Sequence, residues 1–162
     1  MFTHTILVSN SKSGKVKGCN VDLKSYGGDD RPSGKGFVKI NGIQVTPKDV
    51  SRGFTLVRIN KDCSVKEMKT YDTHLYSQEG REMKDYLQTL PYNTSIAGIT
   101  HDEYNDHLLD SLKSALSDIG LDLASASWRS SLCFVIIIGK PQNTTQSQAK
   151  GAKGPSILST IL

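Results

Sequence analysis

The chain of 162 residues is poor in the residue patterns that mark metal or redox sites. It has three cysteines, Cys19, Cys63 and Cys133, and none of them forms a C-x-x-C pair, which argues against a zinc site. One disulfide with a free thiol is compatible with this number. Because Cys133 lies inside an apolar run, we expect it to be an inert thiol in the core.

Long apolar runs and dense charge are also missing. No run approaches the roughly 18 apolar residues needed to cross a bilayer. The first residues, Met1 to His4, lack the basic segment and long apolar stretch of a signal peptide, so the chain is either unsignalled or a mature form. The net charge of +4 is spread over scattered lysines without interleaved aromatic residues. We therefore expect neither a nucleic-acid partner nor membrane insertion.

Sequence motifs of common enzymes are absent as well. No nucleophile elbow, P-loop or dinucleotide-binding glycine motif opens a helix. Asp102 and Glu103 are adjacent and cannot flank a scissile bond as a glycosidase pair must. His101, Asp102, Asp106 and His107 superficially resemble metal ligands, but the two histidines are six residues apart and lack the i, i+4 spacing of a facing pair on a helix. We expect a protein that is not an enzyme and that needs no cofactor or metal.

The first half of the chain predicts β-structure. Alternating apolar residues and turn residues indicate strands at Thr3 to Val8, Val16 to Leu23, Phe37 to Val45, Gly53 to Ile59 and Val65 to Tyr71. The Phe37 to Val45 segment predicts a hairpin, because Asn41-Gly42 suits the two positive-φ positions of a type I′ turn. Gly27-Gly28-Asp29-Asp30 predicts a turn.

The second half alternates helix and strand. Helical spacing of apolar residues covers Ser77 to Leu90, with Ser77 as N-cap, and Asn105 to Ile119. Apolar runs predict strands at Ser95 to Thr100 and Cys133 to Ile138, the latter covered on both faces. The expected fold is α/β, with a β-rich N-terminal half and a mixed, partly parallel sheet on which two main helices pack.

One domain is expected over residues 1–140, followed by two shorter segments. Residues 141–155 are polar and small, which predicts a flexible segment. Residues 156–162 form an apolar tail, which either adds a strand to its own sheet or contacts a neighbouring subunit.

Polar residues flank two of the predicted strands and suggest a binding site. Trp128-Arg129-Ser130 precedes the apolar run that starts at Leu132, and His101-Asp102-Glu103 follows the strand that ends at Thr100. If the two strands are neighbours, Asp102 and Arg129 project from one edge. A carboxylate, a guanidinium and an indole suit a polyhydroxylated ligand.

Each of these residues also has a simpler interpretation. Asp102 is placed to cap the second helix, and Arg129 to form an ordinary ion pair with Asp102 or Glu103. A lone tryptophan such as Trp128, before a buried strand, is most often a core residue.

The order of short segments between Phe37 and Gly139 resembles the ILEI/PANDER domain family. The segments that carry the resemblance are Arg52-Gly53, Tyr71-Asp72-Thr73, Thr100-His101-Asp102-Glu103, Leu116 to Gly120 and Trp128-Arg129. The domain occurs in secreted cytokine-like proteins and in the stem of protein O-mannose N-acetylglucosaminyltransferase, where it holds β-linked N-acetylglucosamine without catalysis.

The resemblance implies a lectin-like, secreted or extracellular protein that recognises N-acetylhexosamines. The stem residues that contact the sugar match Asp102 and Arg129, and the full candidate carbohydrate-binding set is Asp102, Arg129, Trp128, Glu103 and Ser130. The family usually has an aspartate where this chain has Ser130 and a second tryptophan where it has Leu132.

Two further expectations follow. Because one shallow sugar site binds weakly, we expect a homo-oligomer that presents several sites to glycans bearing N-acetylhexosamine. The alternative function is that of a cytokine-like signalling protein that binds a protein receptor. The paired-cysteine framework of the cytokine-like members is not obvious in this sequence.

Overall fold

The computed structural model describes residues 18–106 and 108–162. Within them the chain forms nine strands, two α-helices and one turn of 3₁₀-helix. In chain order these are β1 (Asn20–Gly27), β2 (Phe37–Ile40), β3 (Ile43–Gln44), β4 (Gly53–Ile59), β5 (Val65–Tyr71), α1 (Ser77–Thr89), β6 (Ser95–Asp102), α2 (Asp110–Asp118), β7 (Ser131–Ile137), a 3₁₀ turn (Pro141–Asn143), β8 (Thr145–Ala149) and β9 (Ser156–Ile161). The strand predicted at Thr3 to Val8 lies outside the described residues.

The strands form one strongly curled mixed sheet. Its larger part has the order β5-β4-β6-β7-β8, all antiparallel. Its smaller part has the order β3-β2-β1-β9, also antiparallel. The two parts join where the end of β1 pairs in parallel with the end of β6, Tyr26 opposite His101 and Gly27 opposite Asp102. This short pairing supplies the parallel component that the sequence predicted.

Two apolar cores lie on opposite faces of the larger part. One lies between the helices and the sheet and includes Leu132, Phe134 and Ile136 of β7. The other lies between the two parts of the sheet and includes Cys133 and Val135. Alternate residues of β7 thus face different cores, which confirms that the strand is covered on both faces. Burial raises the pKa of the Cys133 thiol to about 12, as expected for an inert core cysteine.

The predicted β-elements agree closely with the observed ones. β4 and β5 have the predicted bounds, and the turn between β2 and β3 has positive φ at both Asn41 (50°) and Gly42 (81°). The predicted return strand begins later, at Asn20, and runs on to Gly27.

The ends of the helices differ from the predictions. The N-cap of α1 is Tyr76 rather than Ser77, and no described side chain caps it. Helix α2 starts at Asp110 instead of Asn105. The reason is local: the Glu103 carboxylate accepts the backbone N–H groups of Asn105 and Asp106, which holds that segment in a turn.

The prediction of a flexible segment over residues 141–155 is wrong for its middle part. Thr145–Ala149 is strand β8, paired with β7 from Ser131 to Val135. Backbone hydrogen bonds to a buried strand order this polar sequence, although it buries little apolar surface of its own. Of the two alternatives for the apolar tail, the structure has the strand: β9 pairs with β1 along its whole length.

A disulfide joins Cys19, just before β1, to Cys63 in the turn between β4 and β5. It ties the smaller part of the sheet to the larger part at the end where β6 begins. The opposite end, where β1 and β6 finish, contains the candidate site.

Candidate functional site at the end of strands β1 and β6

A cleft of about 460 Å³ opens at this end of the sheet. Its walls come from the ends of β1 and β6, the loop before β2 and the turn before β7, through Gly27, Gly28, Ser33, Gly34, Lys35, His101, Asp102 and Arg129. Its volume lies in the range of small-molecule clefts. Among the described residues, no group of three His, Cys, Asp or Glu side chains is arranged to hold a metal ion. His107, one of the residues considered as a metal ligand from the sequence, lies outside the described residues.

Asp102 and Arg129 meet in this cleft. Because β6 and β7 are antiparallel neighbours, the last residue of β6 and the turn before β7 lie at one rim. Arg129 Nε is 4.0 Å from Asp102 Oδ1, and each side chain keeps 38% of its surface exposed. The predicted pair is therefore adjacent and open to solvent.

The backbone aims both side chains. Asp102 (φ 60°) and Arg129 (φ 52°) adopt the left-handed conformation, which is uncommon for residues other than glycine and is often found at functional sites. Gly28 packs directly beneath them: a Cβ atom there would lie 2.3 Å from Asp102 Oδ1 and 2.9 Å from Arg129 Cδ. The absence of a side chain at residue 28 thus permits this placement.

Asp29 holds the guanidinium, and sequence reasoning missed it. Its Oδ1 accepts a hydrogen bond of 2.6 Å from Arg129 Nη1 and raises the pKa of Arg129. The family usually has an aspartate at the position of Ser130, and in this chain Asp29 supplies a carboxylate acceptor for the guanidinium. The signal was the Gly27-Gly28-Asp29-Asp30 turn, interpreted only as a turn.

Glu103, which the sequence placed in the candidate carbohydrate-binding set, is a buried side chain bonded to the backbone. It is only 2% exposed. One carboxylate oxygen accepts the backbone N–H of Asn105 at 2.6 Å and of Asp106 at 3.1 Å, while the other accepts the backbone N–H of Arg129. The carboxylate therefore connects the end of β6 to the turn before β7 and fixes the backbone that presents Arg129.

Ser130, also in the candidate carbohydrate-binding set, is likewise buried. It is 1% exposed, and its hydroxyl oxygen lies 2.9 Å from Ser127 O and 3.2 Å from the Tyr104 hydroxyl. Its hydroxyl therefore forms part of a buried network behind the cleft wall. Tyr104 lies in the same network, and its burial raises the pKa of its phenol.

Trp128 lies beside the cleft. Its side chain is exposed (51%), so the core interpretation of this tryptophan is wrong. The ring packs edge-on against His74 at 5.9 Å and lies 5.4 Å from Arg129 Cζ. Its role as a ligand contact remains a prediction.

Lys35 and His101 also line the cleft, and neither was in the predicted carbohydrate-binding set. Lys35 Nζ lies 3.4 Å from His101 Nε2. Partial burial lowers the pKa of His101, and the ammonium of Lys35 lowers it further. No sequence pattern indicated Lys35, because it comes from a loop distant from β6 in the chain.

Buried aspartate Asp30 ties the floor of the cleft to the C-terminal segment. Its two oxygens accept the backbone N–H groups of Gly27 at 2.7 Å and Gly154 at 2.8 Å. The loop before β9 therefore supports the turn that contains Asp29.

The family can now be assigned. The sequence profile of the interleukin-like EMT inducer (ILEI) family matches residues 52–140. The chain belongs to this family. The match includes Asp102 and Arg129, whereas the ILEI profile does not extend to Asp29 or Lys35. No curated protein matches the chain. Among the described residues, none of the helices is both long and apolar enough to span a membrane.

Proposed function

We propose that this ILEI-family protein is a secreted, lectin-like module that binds N-acetylhexosamines without altering them. The observation that carries the proposal is the meeting of Asp102 and Arg129, both accessible, at one rim of a cleft. A carboxylate next to a guanidinium offers acceptors and donors to neighbouring hydroxyls of a sugar ring.

Each residue has a defined part in the proposed complex. Asp102 accepts hydrogen bonds from two adjacent hydroxyls. Arg129 uses one of its N–H donors on Asp29, and its other Nη donors bond to sugar oxygens, while its Nε is buried beside Asp102. Trp128 covers an apolar C–H face or the acetyl methyl group.

We further propose that the protein self-associates. A shallow site of this kind binds with about millimolar affinity, roughly −4 kcal/mol. Several linked sites raise the effective affinity without new contacts. Ile157 and Ile161 of β9 are exposed and offer apolar surface for this contact. Light scattering on the purified chain at several concentrations tests it, and a strictly monomeric protein contradicts it.

The disulfide between Cys19 and Cys63 supports secretion, because disulfides persist mainly in oxidising compartments. Counting thiols in protein purified from the secreting cell checks this. Two cysteines that react with a thiol reagent only after reduction support the proposal.

The sugar site is tested by titration. N-acetylglucosamine and galactose are titrated separately, by NMR or calorimetry, into the wild type, Asp102→Ala and Arg129→Ala. We expect binding of N-acetylglucosamine and its loss in both variants. The matched control is Arg58→Ala, which breaks a partly exposed ion pair with Glu67 at 3.1 Å, away from the cleft. Binding retained in both site variants refutes the assignment.

A second function, that of a cytokine-like ligand for a protein receptor, is favoured by the same disulfide, because the cytokine-like members of the family have a framework of paired cysteines. The two functions differ in their response to glycan removal. If the protein is a lectin, its binding to cells falls when surface glycans are stripped enzymatically and when Asp102 is replaced by alanine. Binding that survives both treatments favours the receptor.

A further inference from the structure

The charges in the cleft are unevenly compensated. The guanidinium of Arg129 has two carboxylates beside it, Asp29 at 2.6 Å and Asp102 at 4.0 Å. Two acidic groups and one basic group thus occupy this wall. It suits neutral hydroxyls and repels an anion.

Another part of the lining, around Lys35 and His101, has the reverse character. Lys35 is exposed, and among the described residues no carboxylate oxygen lies within 4.0 Å of its Nζ atom. Its polar neighbour is His101 Nε2 at 3.4 Å. A histidine ring carries no negative charge, and the lowered pKa of His101 disfavours a positive one, so this neighbour is not a counter-ion for the ammonium.

Lys35 lines the same cleft as Asp102 and Arg129, so a single bound molecule contacts all three side chains. A lysine ammonium is a compact charge with three donors and pairs readily with a carboxylate or sulfate. The hydroxyl of Ser33, which also lines the cleft, adds a neutral donor.

We propose that the saccharide bound here carries an anionic group, which pairs with Lys35 while the sugar hydroxyls bond to Asp102 and Arg129. This inference rests on the proposed function and narrows its ligand class to acidic N-acetylhexosamines. The charges of the cleft also fix the orientation of the ligand, because the carboxylates of Asp29 and Asp102 repel its anionic group.

The test uses three monosaccharides that differ in one group. N-acetylglucosamine is neutral, N-acetylglucosamine 6-sulfate adds a sulfate, and N-acetylmuramic acid adds a carboxylate. At low salt we expect at least one charged sugar to bind about three- to fivefold more tightly than the neutral one, the gain of a solvent-exposed ion pair. The gain shrinks as salt is raised to about 0.5 M, because the charges are screened. The charged sugar whose affinity rises shows whether sulfate or carboxylate pairs with Lys35.

Two variants give the experiment its controls. Lys35→Gln removes the charge but keeps a side-chain N–H donor, and we expect it to abolish the gain, so that the charged sugars bind no more tightly than N-acetylglucosamine. Lys140→Gln makes the same charge change after the far end of β7, beside Tyr92, and keeps the gain.

The two failures are distinguishable. If N-acetylglucosamine binds through Arg129 but neither charged sugar gains, or the gain survives in Lys35→Gln, the inference is overturned and the proposed function stands. If none of the three sugars binds, the proposed function fails and the inference fails with it.

Discussion

The two ends of the curled sheet are held together by different forces. At the end where β1 and β6 begin, the Cys19–Cys63 disulfide links the two parts of the sheet covalently. At the opposite end, buried carboxylates of Glu103 and Asp30 accept backbone N–H groups from segments far apart in the chain. A covalent link tolerates variation around it, whereas a buried carboxylate requires each donor in place. The second arrangement produces an ordered cleft.

The largest effect is expected from Glu103. Replacing it with alanine leaves three partly buried backbone N–H groups without their acceptor, so the free energy of unfolding falls by about 3–5 kcal/mol. Urea denaturation measures this. Glu103→Gln, which keeps one carbonyl acceptor, gives a smaller loss.

The control for Glu103 lies at the disulfide end. Asp62 accepts hydrogen bonds from Ser64 on the exposed surface, and Asp62→Ala leaves the urea midpoint near that of the wild type. Equal effects of the two changes would mean that the carboxylate network does not distinguish the ends.

The disulfide gives the next largest effect. The bonded cysteines are 44 residues apart in sequence, and the double variant Cys19→Ala/Cys63→Ala loses about 3–4 kcal/mol of unfolding free energy by the loop-entropy estimate. Because the bond is remote from the cleft, the affinity for N-acetylglucosamine changes less than twofold. A large loss of affinity at unchanged fold would show that the two ends are coupled.

Gly28→Ala is expected to lower the affinity of the cleft for its ligand while leaving the stability of this end of the sheet nearly unchanged. The added Cβ displaces the Asp102 and Arg129 side chains, so affinity falls about tenfold, equal to about 1.4 kcal/mol of binding. Unfolding free energy changes by under about 1 kcal/mol, since the displaced groups are mobile side-chain ends. Calorimetry and urea denaturation measure the two quantities.

Gly80→Ala is the matched control. Gly80 lies in α1, where a Cβ makes only ordinary contact with Leu109 at 3.5 Å, so stability rises by up to about 1 kcal/mol and affinity is unchanged.

The smallest effect is a pH dependence from His101. Its pKa in the folded chain lies below the ordinary value of 6.5, through burial and Lys35, so between these two values the unfolded chain binds more protons. Stability therefore falls as the pH drops from 6.5 to the folded-state pKa and then loses no more from this residue. Urea midpoints at several pH values show a shallower slope in His101→Gln. An unchanged slope would assign the dependence to other groups.

Much of the sheet was predictable because its strands carry their own signal. β4 and β7 alternate between two apolar cores, and the Asn41-Gly42 turn specifies its hairpin locally. β8 was not predictable, because Thr145–Ala149 has no apolar pattern and is ordered by backbone bonds to β7. Its Gln146 side chain adds two further bonds to the backbone of Asp122, at 2.7 and 2.8 Å.

The candidate site also has residues that the sequence indicated and residues whose role only the structure shows. Strand ends near Asp102 and Arg129 were recognisable, since each follows or precedes an apolar run. Glu103 and Ser130 are polar residues next to them in sequence, and only burial separates their structural role from that of a ligand contact.

The sequence alone determined most of the strands, the two helical regions, the family and the pair of charged residues at one sheet edge. The tertiary structure decided which polar groups are buried supports, which side chain orients Arg129, and that Lys35 faces the same cleft. The physical reason is distance along the chain: periodicity and turn chemistry act between near neighbours. Asp29 and Arg129, 100 residues apart, meet only once the curled sheet brings β1 and β7 to a common rim.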